Sequence, residues 1–112
     1  MLPVFRVLAC LCLLAGPALP AAAQEGKAAV AAGQRIARVH CAPCHAIGKT
    51  GASPREGAPP FRTLHRRYDL DNLQEALVEG VAVGHRGSDM PEFEFTPERT
   101  DALIAYLKSL RR

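Results

Sequence analysis

The apolar residues after residue 24 recur at helical spacing, and no segment shows the alternation expected of a strand. The pattern predicts a first helix over residues 27–40, rich in alanine. Small or apolar residues recur along it at intervals of three and four, at Val30, Gly33, Ile36 and Ala37. The hydrophobic pattern therefore predicts an all-α domain of three to five helices.

The last predicted helix has the clearest start. Thr96 is a suitable N-cap, Pro97 suits the first helical position, and Glu98 complements the positive end of the helix dipole. Its apolar stripe consists of Leu103, Ile104, Leu107 and Leu110. We therefore expect this helix to contribute much of the core.

The middle of the chain combines a long loop with two shorter helical segments. Glycine and proline punctuate residues 47–60, which predicts an extended loop of the kind that often wraps a functional group. A short helix is predicted over residues 61–67. Another follows Asp71, with Gly80 as its stop signal. Its apolar face consists of Leu73, Ala76 and Leu77.

The N-terminus has the pattern of an export signal. A single Arg6 precedes an apolar run over residues 7–15, which is too short to span a bilayer, and the alanines at 21–23 form an A-x-A cleavage site. These features predict a cleaved signal peptide over residues 1–23 and one domain over residues 24–112. Removal of the signal would leave no stable membrane insertion.

Cleavage would remove Cys10 and Cys12 and leave Cys41 and Cys44, too few for a disulfide framework. A lipoprotein signal ending at Cys10 is the alternative. Thirteen basic and eleven acidic residues lie beyond residue 23, a net charge of +2, and this balance does not suggest nucleic-acid binding. A domain of 89 residues often needs a metal or another staple, so we expect a bound group in its interior.

The sequence Cys-Ala-Pro-Cys-His at residues 41–45 is the C-x-x-C-H signature of covalent c-type haem. Cys41 and Cys44 lie one helical turn apart, so that each thiol can bond a vinyl group, and His45 can then reach the iron. A thioredoxin-like pair would be expected in a βαβ context, and structural zinc needs four protein ligands. The motif therefore predicts one haem c, with its iron, held by two thioethers. Because exported c-type chains receive their haem in the bacterial periplasm, the signal and the motif together imply that compartment.

An electron carrier closes both axial positions of its iron, so a second ligand is needed. Met90 is the only methionine beyond the signal, lies 45 residues after His45 and is followed by Pro91. We predict that His45 and Met90 are the metal ligands. Two alternatives stay open: Met90 fills the core, or His85 is the ligand instead of bracing its loop.

Two other histidines have less specific surroundings. His40 is expected to be exposed at the end of the first helix. His65 belongs to a basic stretch over residues 62–67, which predicts a solvated face, with a docking patch or a haem-propionate contact as alternatives.

On these motifs, the mature chain resembles the class I cytochromes c over nearly its whole length. That family has a glycine eight residues before the first cysteine, here Gly33, where its terminal helices cross. Leu103 to Leu107 match its Leu-x-x-Tyr-Leu pattern, which includes Tyr106. The family commonly has an aromatic residue at the position of Ala37, so the resemblance implies a different packing at this crossing.

The resemblance also implies roles in the loop after the motif. A proline carbonyl accepts the proton of the second imidazole nitrogen, and Pro59 matches that position better than Pro60. Phe61 would then lie against the haem. The chain has no tryptophan, which some members place near a propionate.

The function implied by the resemblance is outer-sphere electron transfer by a monomeric carrier that is not an enzyme. Its partners would be redox proteins, such as an oxidase, a reductase or a dehydrogenase. One alternative is a dedicated electron-accepting subunit of one periplasmic dehydrogenase. Another is a haem sensor or catalyst with a labile sixth ligand.

Overall fold

The computed structural model of the chain describes residues 16–79, 90 and 93–111. Within these residues the chain forms three α-helices, one 3₁₀ helix and no strand. The elements are α1 (Ala21–His40), the 3₁₀ helix (Phe61–Arg66), α2 (Leu70–Glu79) and α3 (Pro97–Ser109). The prediction of an all-α fold is confirmed.

Helix α1 is six residues longer at its N-terminus than the predicted 27–40. The alanines at 21–23 carry the strongest helix propensity, and Pro20 precedes them in an extended conformation, so the helix begins directly after the proline. In the sequence, the same alanines form the predicted cleavage site.

Helix α3 has the predicted start. The Thr96 hydroxyl accepts a hydrogen bond from the backbone N–H of Arg99 at 3.4 Å, and Pro97 occupies the first turn. The predicted stripe is buried and belongs to the core. The buried residues of the helix are Thr100, Ala102, Leu103, Ile104, Tyr106 and Leu107.

Helices α1 and α3 form the most extensive contact between elements, and Gly33 lies at their crossing. A β-carbon built on Gly33 would overlap the Ala102 carbonyl and lie 2.7 Å from the β-carbon of Tyr106. Ala37, one turn further along, is completely buried. Two small residues on one face of α1 therefore allow the two backbones to come into direct contact.

The shorter helices close the remaining sides of the core. The 3₁₀ helix buries Phe61 and Leu64, which its period of three places on one face. Helix α2 begins at Leu70, so it includes Asp71 instead of following it as predicted. The predicted stop at Gly80 lies outside the described residues. No helix in the described part of the chain has the length and apolar character needed to span a membrane.

Polar contacts on the surface join α2 to α3. Lys108 Nζ donates to the Asp71 carboxylate at 2.6 Å, and the Gln74 amide donates to Asp101. The hydrogen bond and positive charge of Lys108 lower the pKa of Asp71. Because both side chains are exposed, this ion pair contributes little to the stability of the fold.

Candidate functional site

The C-x-x-C-H motif forms one further helical turn at the end of α1. The backbone N–H of Cys41 donates to the Ala37 carbonyl at 2.9 Å, and that of His45 donates to the Cys41 carbonyl at 2.8 Å. The Cys44 N–H also donates to the Cys41 carbonyl, at 3.1 Å. The α1 backbone therefore sets the spacing of both thiols and the imidazole.

The Cys41 thiol is 7% exposed and lies in the core, whereas Cys44 is partly buried. Burial, with a smaller contribution from the neighbouring Cys44, raises the pKa of the Cys41 thiol to about 11. A reactive redox thiol needs a lowered pKa, because the thiolate is the nucleophile. The environment of Cys41 therefore suits a neutral sulfur, as in a thioether, and does not suit a thioredoxin-like nucleophile.

The imidazole of His45 is buried and held from one side. Its Nδ1 donates to the Pro59 carbonyl at 2.8 Å, because a carbonyl can only accept. This tautomer leaves the lone pair of Nε2 available to a metal. The ring of Phe61 lies 5.2 Å from the imidazole, centroid to centroid. Pro59 and Phe61 thus both contact the predicted proximal ligand.

The loop over residues 47–60 is tied to the motif by hydrogen bonds. The backbone N–H of Ala46 donates to the Ser53 hydroxyl at 3.0 Å, and the Arg55 N–H donates to the Cys44 carbonyl at 3.1 Å. At the end of the loop, the Phe61 N–H donates to the Ala46 carbonyl at 2.9 Å. These contacts bring Pro59 back to His45 although the loop has no regular structure.

A single cavity of about 310 Å³ brings together all six predicted site residues. Its size lies within the usual range of ligand pockets. The six are Cys41, Cys44, His45, Pro59, Phe61 and Met90. Leucines of the 3₁₀ helix, α2 and α3 form much of the remaining wall, at positions 64, 73, 77, 103 and 107.

This set of residues fits a covalently held haem. Cys41, Cys44 and His45, whose second imidazole nitrogen is available, line a largely apolar cavity that Met90 also borders. His85, the alternative ligand, lies outside the described residues. The assignment of Met90 as a ligand stays a prediction.

Two expectations about the other histidines change with the structure. The prediction that His40 is exposed at the helix end is wrong. Its side chain is partly buried, borders the cavity and contacts the rings of Phe93 and Phe95. The basic stretch is only partly solvated, since Arg66 and Arg67 are exposed but Arg62 and His65 are not. The side chain of Arg67 borders the cavity.

Phe93 and Phe95 are functional-site residues that the sequence motifs do not include. Their rings stack 5.5 Å apart, centroid to centroid, and both border the cavity. The sequence does contain a signal for them. Two aromatic residues separated by one acidic residue, Glu94, lie on the same side of an extended segment.

Tyr106 joins α3 to the loop after the motif. Its buried hydroxyl donates to the Ile47 carbonyl at 2.6 Å, and burial raises its pKa.

We expect Tyr106→Phe to lower the free energy of unfolding by about 1–2 kcal/mol, because the Ile47 carbonyl loses its partner. Denaturant unfolding followed by circular dichroism measures this loss, and an unchanged midpoint would show that the bond does not contribute.

A comparison with protein-family models matches residues 30–111 to the family described as Cytochrome c. Comparisons with curated proteins and with solved structures give no significant match. The match covers the motif, the loop, the cavity and all of α3. The chain therefore belongs to the cytochrome c family, as a class I c-type cytochrome in which covalently bound haem carries electrons.

Proposed function

We propose that the protein is a periplasmic carrier with one haem c, which passes single electrons between respiratory or dehydrogenase partners. The observation that carries this proposal is the convergence of Cys41, Cys44, His45 and Met90 on one apolar cavity. The chain has a single C-x-x-C-H motif, which supports one haem. When bound, the haem supplies the Fe(III)/Fe(II) couple.

The residues around the cavity adjust that couple and hold its ligands in place. The hydrogen bond to Pro59 fixes the orientation of His45 and increases its donation to the metal. A methionine thioether as second ligand raises the potential. The leucine walls keep water away, and an apolar surround disfavours the more highly charged oxidised iron.

Export and haem attachment are tested together by expressing the full chain in a bacterium that matures c-type cytochromes. We expect the periplasmic fraction to contain a protein that begins at Gln24 and carries the mass of one haem. The variant Cys41→Ser/Cys44→Ser should lack both thioether bonds. Cys12→Ser serves as the matched control, since this residue lies in the proposed signal. Wild-type protein that reaches the periplasm without haem would contradict the proposal.

The nature of the partner is tested with the purified holoprotein. A shuttle should be monomeric and, once reduced, should be reoxidised by more than one terminal oxidase. Copurification with a single dehydrogenase would instead identify the protein as a dedicated subunit. Rapid carbon monoxide binding by the reduced protein at neutral pH would indicate a labile sixth site, and therefore sensing or catalysis.

A further inference from the structure

Four side chains beside the cavity form a cluster, and none of them is a predicted haem ligand. The ring of His40 lies edge-on to Phe93 at 5.5 Å and to Phe95 at 5.4 Å, and the two phenylalanines stack on each other. The guanidinium of Arg99 lies 5.4 Å from the centre of the Phe95 ring. We refer to these four residues as the aromatic clamp.

A hydrogen bond closes the clamp. Arg99 donates to Nε2 of His40 at 3.2 Å, because a guanidinium has no acceptor. His40 is the last residue of α1, and Arg99 lies in the first turn of α3. The segment with the two phenylalanines is therefore attached to both helices at once.

The two phenylalanines of the aromatic clamp are close to Met90 in the sequence. Phe93 follows Met90 by three residues, and three residues span at most about 10 Å. Phe95 is 7% exposed and belongs to the core, so its ring has little freedom. Holding Phe93 and Phe95 therefore restricts the positions that the Met90 sulfur can reach. On the other side of the clamp, His40 directly precedes Cys41.

We propose that the aromatic clamp positions Met90 at the sixth coordination site of the iron, with His40 as its central positioning residue. This inference rests on the proposed role of Met90 as a ligand. Edge-to-face rings and a bonded guanidinium have a defined geometry, so the clamp fixes the register of the segment as well as burying it. Loss of the His40 ring would let Met90 leave the iron more often.

The test is the binding of imidazole to the oxidised holoprotein, because imidazole can bind only while Met90 is dissociated. Apparent affinity rises in proportion to the population of the open state. We expect His40→Ala to bind imidazole about tenfold more tightly and to weaken the sulfur-to-iron absorption band. His40→Phe keeps a ring against both phenylalanines and should restore most of the band.

The matched control is His65→Ala, which removes a partly buried histidine that is outside both the clamp and the cavity lining. It should leave imidazole binding unchanged. If His40→Ala gives too little holoprotein, Phe93→Leu keeps apolar volume but removes the ring contacts, and it should show the same gain in affinity.

Two results would overturn the inference, and they can be told apart. If the wild-type protein has the sulfur-to-iron band but neither clamp variant changes imidazole binding, the clamp does not position Met90 and the ligand assignment stands. If the wild-type protein lacks the band, the ligand assignment fails and the inference fails with it.

Discussion

Gly33→Ala is expected to destabilise the folded protein by about 3 kcal/mol or more. The added methyl would overlap the Ala102 carbonyl and lie 2.7 Å from the Tyr106 β-carbon, so α1 and α3 must move apart. Overpacking of a core usually costs about 1–3 kcal/mol, and here the obstruction is backbone, which cannot rotate away. Denaturant unfolding of the holoprotein, followed by circular dichroism, measures the loss.

Gly26→Ala is the matched control for this change. Gly26 lies on the same helix with nothing within 4 Å of a built β-carbon, so its replacement should be neutral or should stabilise the helix by up to about 1 kcal/mol. If both variants unfold at the wild-type midpoint, the close crossing at Gly33 does not exist in solution. A variant that yields no holoprotein agrees with the prediction when Gly26→Ala is produced normally.

Met90→Ala is expected to have the largest effect on the redox properties. Loss of the thioether should abolish the sulfur-to-iron band, open the sixth position to carbon monoxide or imidazole, and lower the potential. Axial ligands and their surroundings spread haem potentials over about 0.8 V, and we expect a fall on the order of 100 mV. Potentiometric titration followed by absorption measures the shift.

Met90→Leu separates a ligand from a core filler. Leucine keeps most of the apolar volume but supplies no sulfur, so it should behave like alanine in the spectrum without leaving the cavity that alanine leaves. If Met90 only fills the core, the leucine variant should keep the wild-type spectrum and potential. That result would contradict the ligand assignment and make His85 the next candidate to replace.

The sequence predicted α3 well because several independent signals agree there. The Thr96 cap, Pro97 and the leucine stripe all indicate the same start and the same buried face. The beginning of α1 was misplaced because the alanines at 21–23 satisfy two patterns, a cleavage site and a helix. One sequence cannot show which of these applies at a given stage of maturation.

The site residues could be predicted where they are contiguous in the sequence. Cys41, Cys44 and His45 follow from one contiguous motif, whereas Pro59 depends on the path of an irregular loop that returns across 14 residues. Only the resemblance to a known family indicated that path. The structure adds its physical cause, which is the series of hydrogen bonds between the loop and the backbone of the motif.

The aromatic clamp could not be derived from spacing alone. His40 and Arg99 are 59 residues apart, and they meet because the crossing at Gly33 brings the end of α1 beside the start of α3. A histidine at a helix end is ordinarily solvated, and its burial here requires the two phenylalanines after Met90. Tertiary packing therefore changed the environment of this residue.

The most direct test of the central claim is the absorption spectrum of the exported protein in its oxidised and reduced forms. We predict the bands of covalent c-type haem in the reduced form and, in the oxidised form, the weak near-infrared band of a sulfur-to-iron bond. Covalent haem without the sulfur band would contradict the assignment of Met90 and require a ligand-binding or catalytic role to be considered. The absence of covalent haem would contradict the account as a whole.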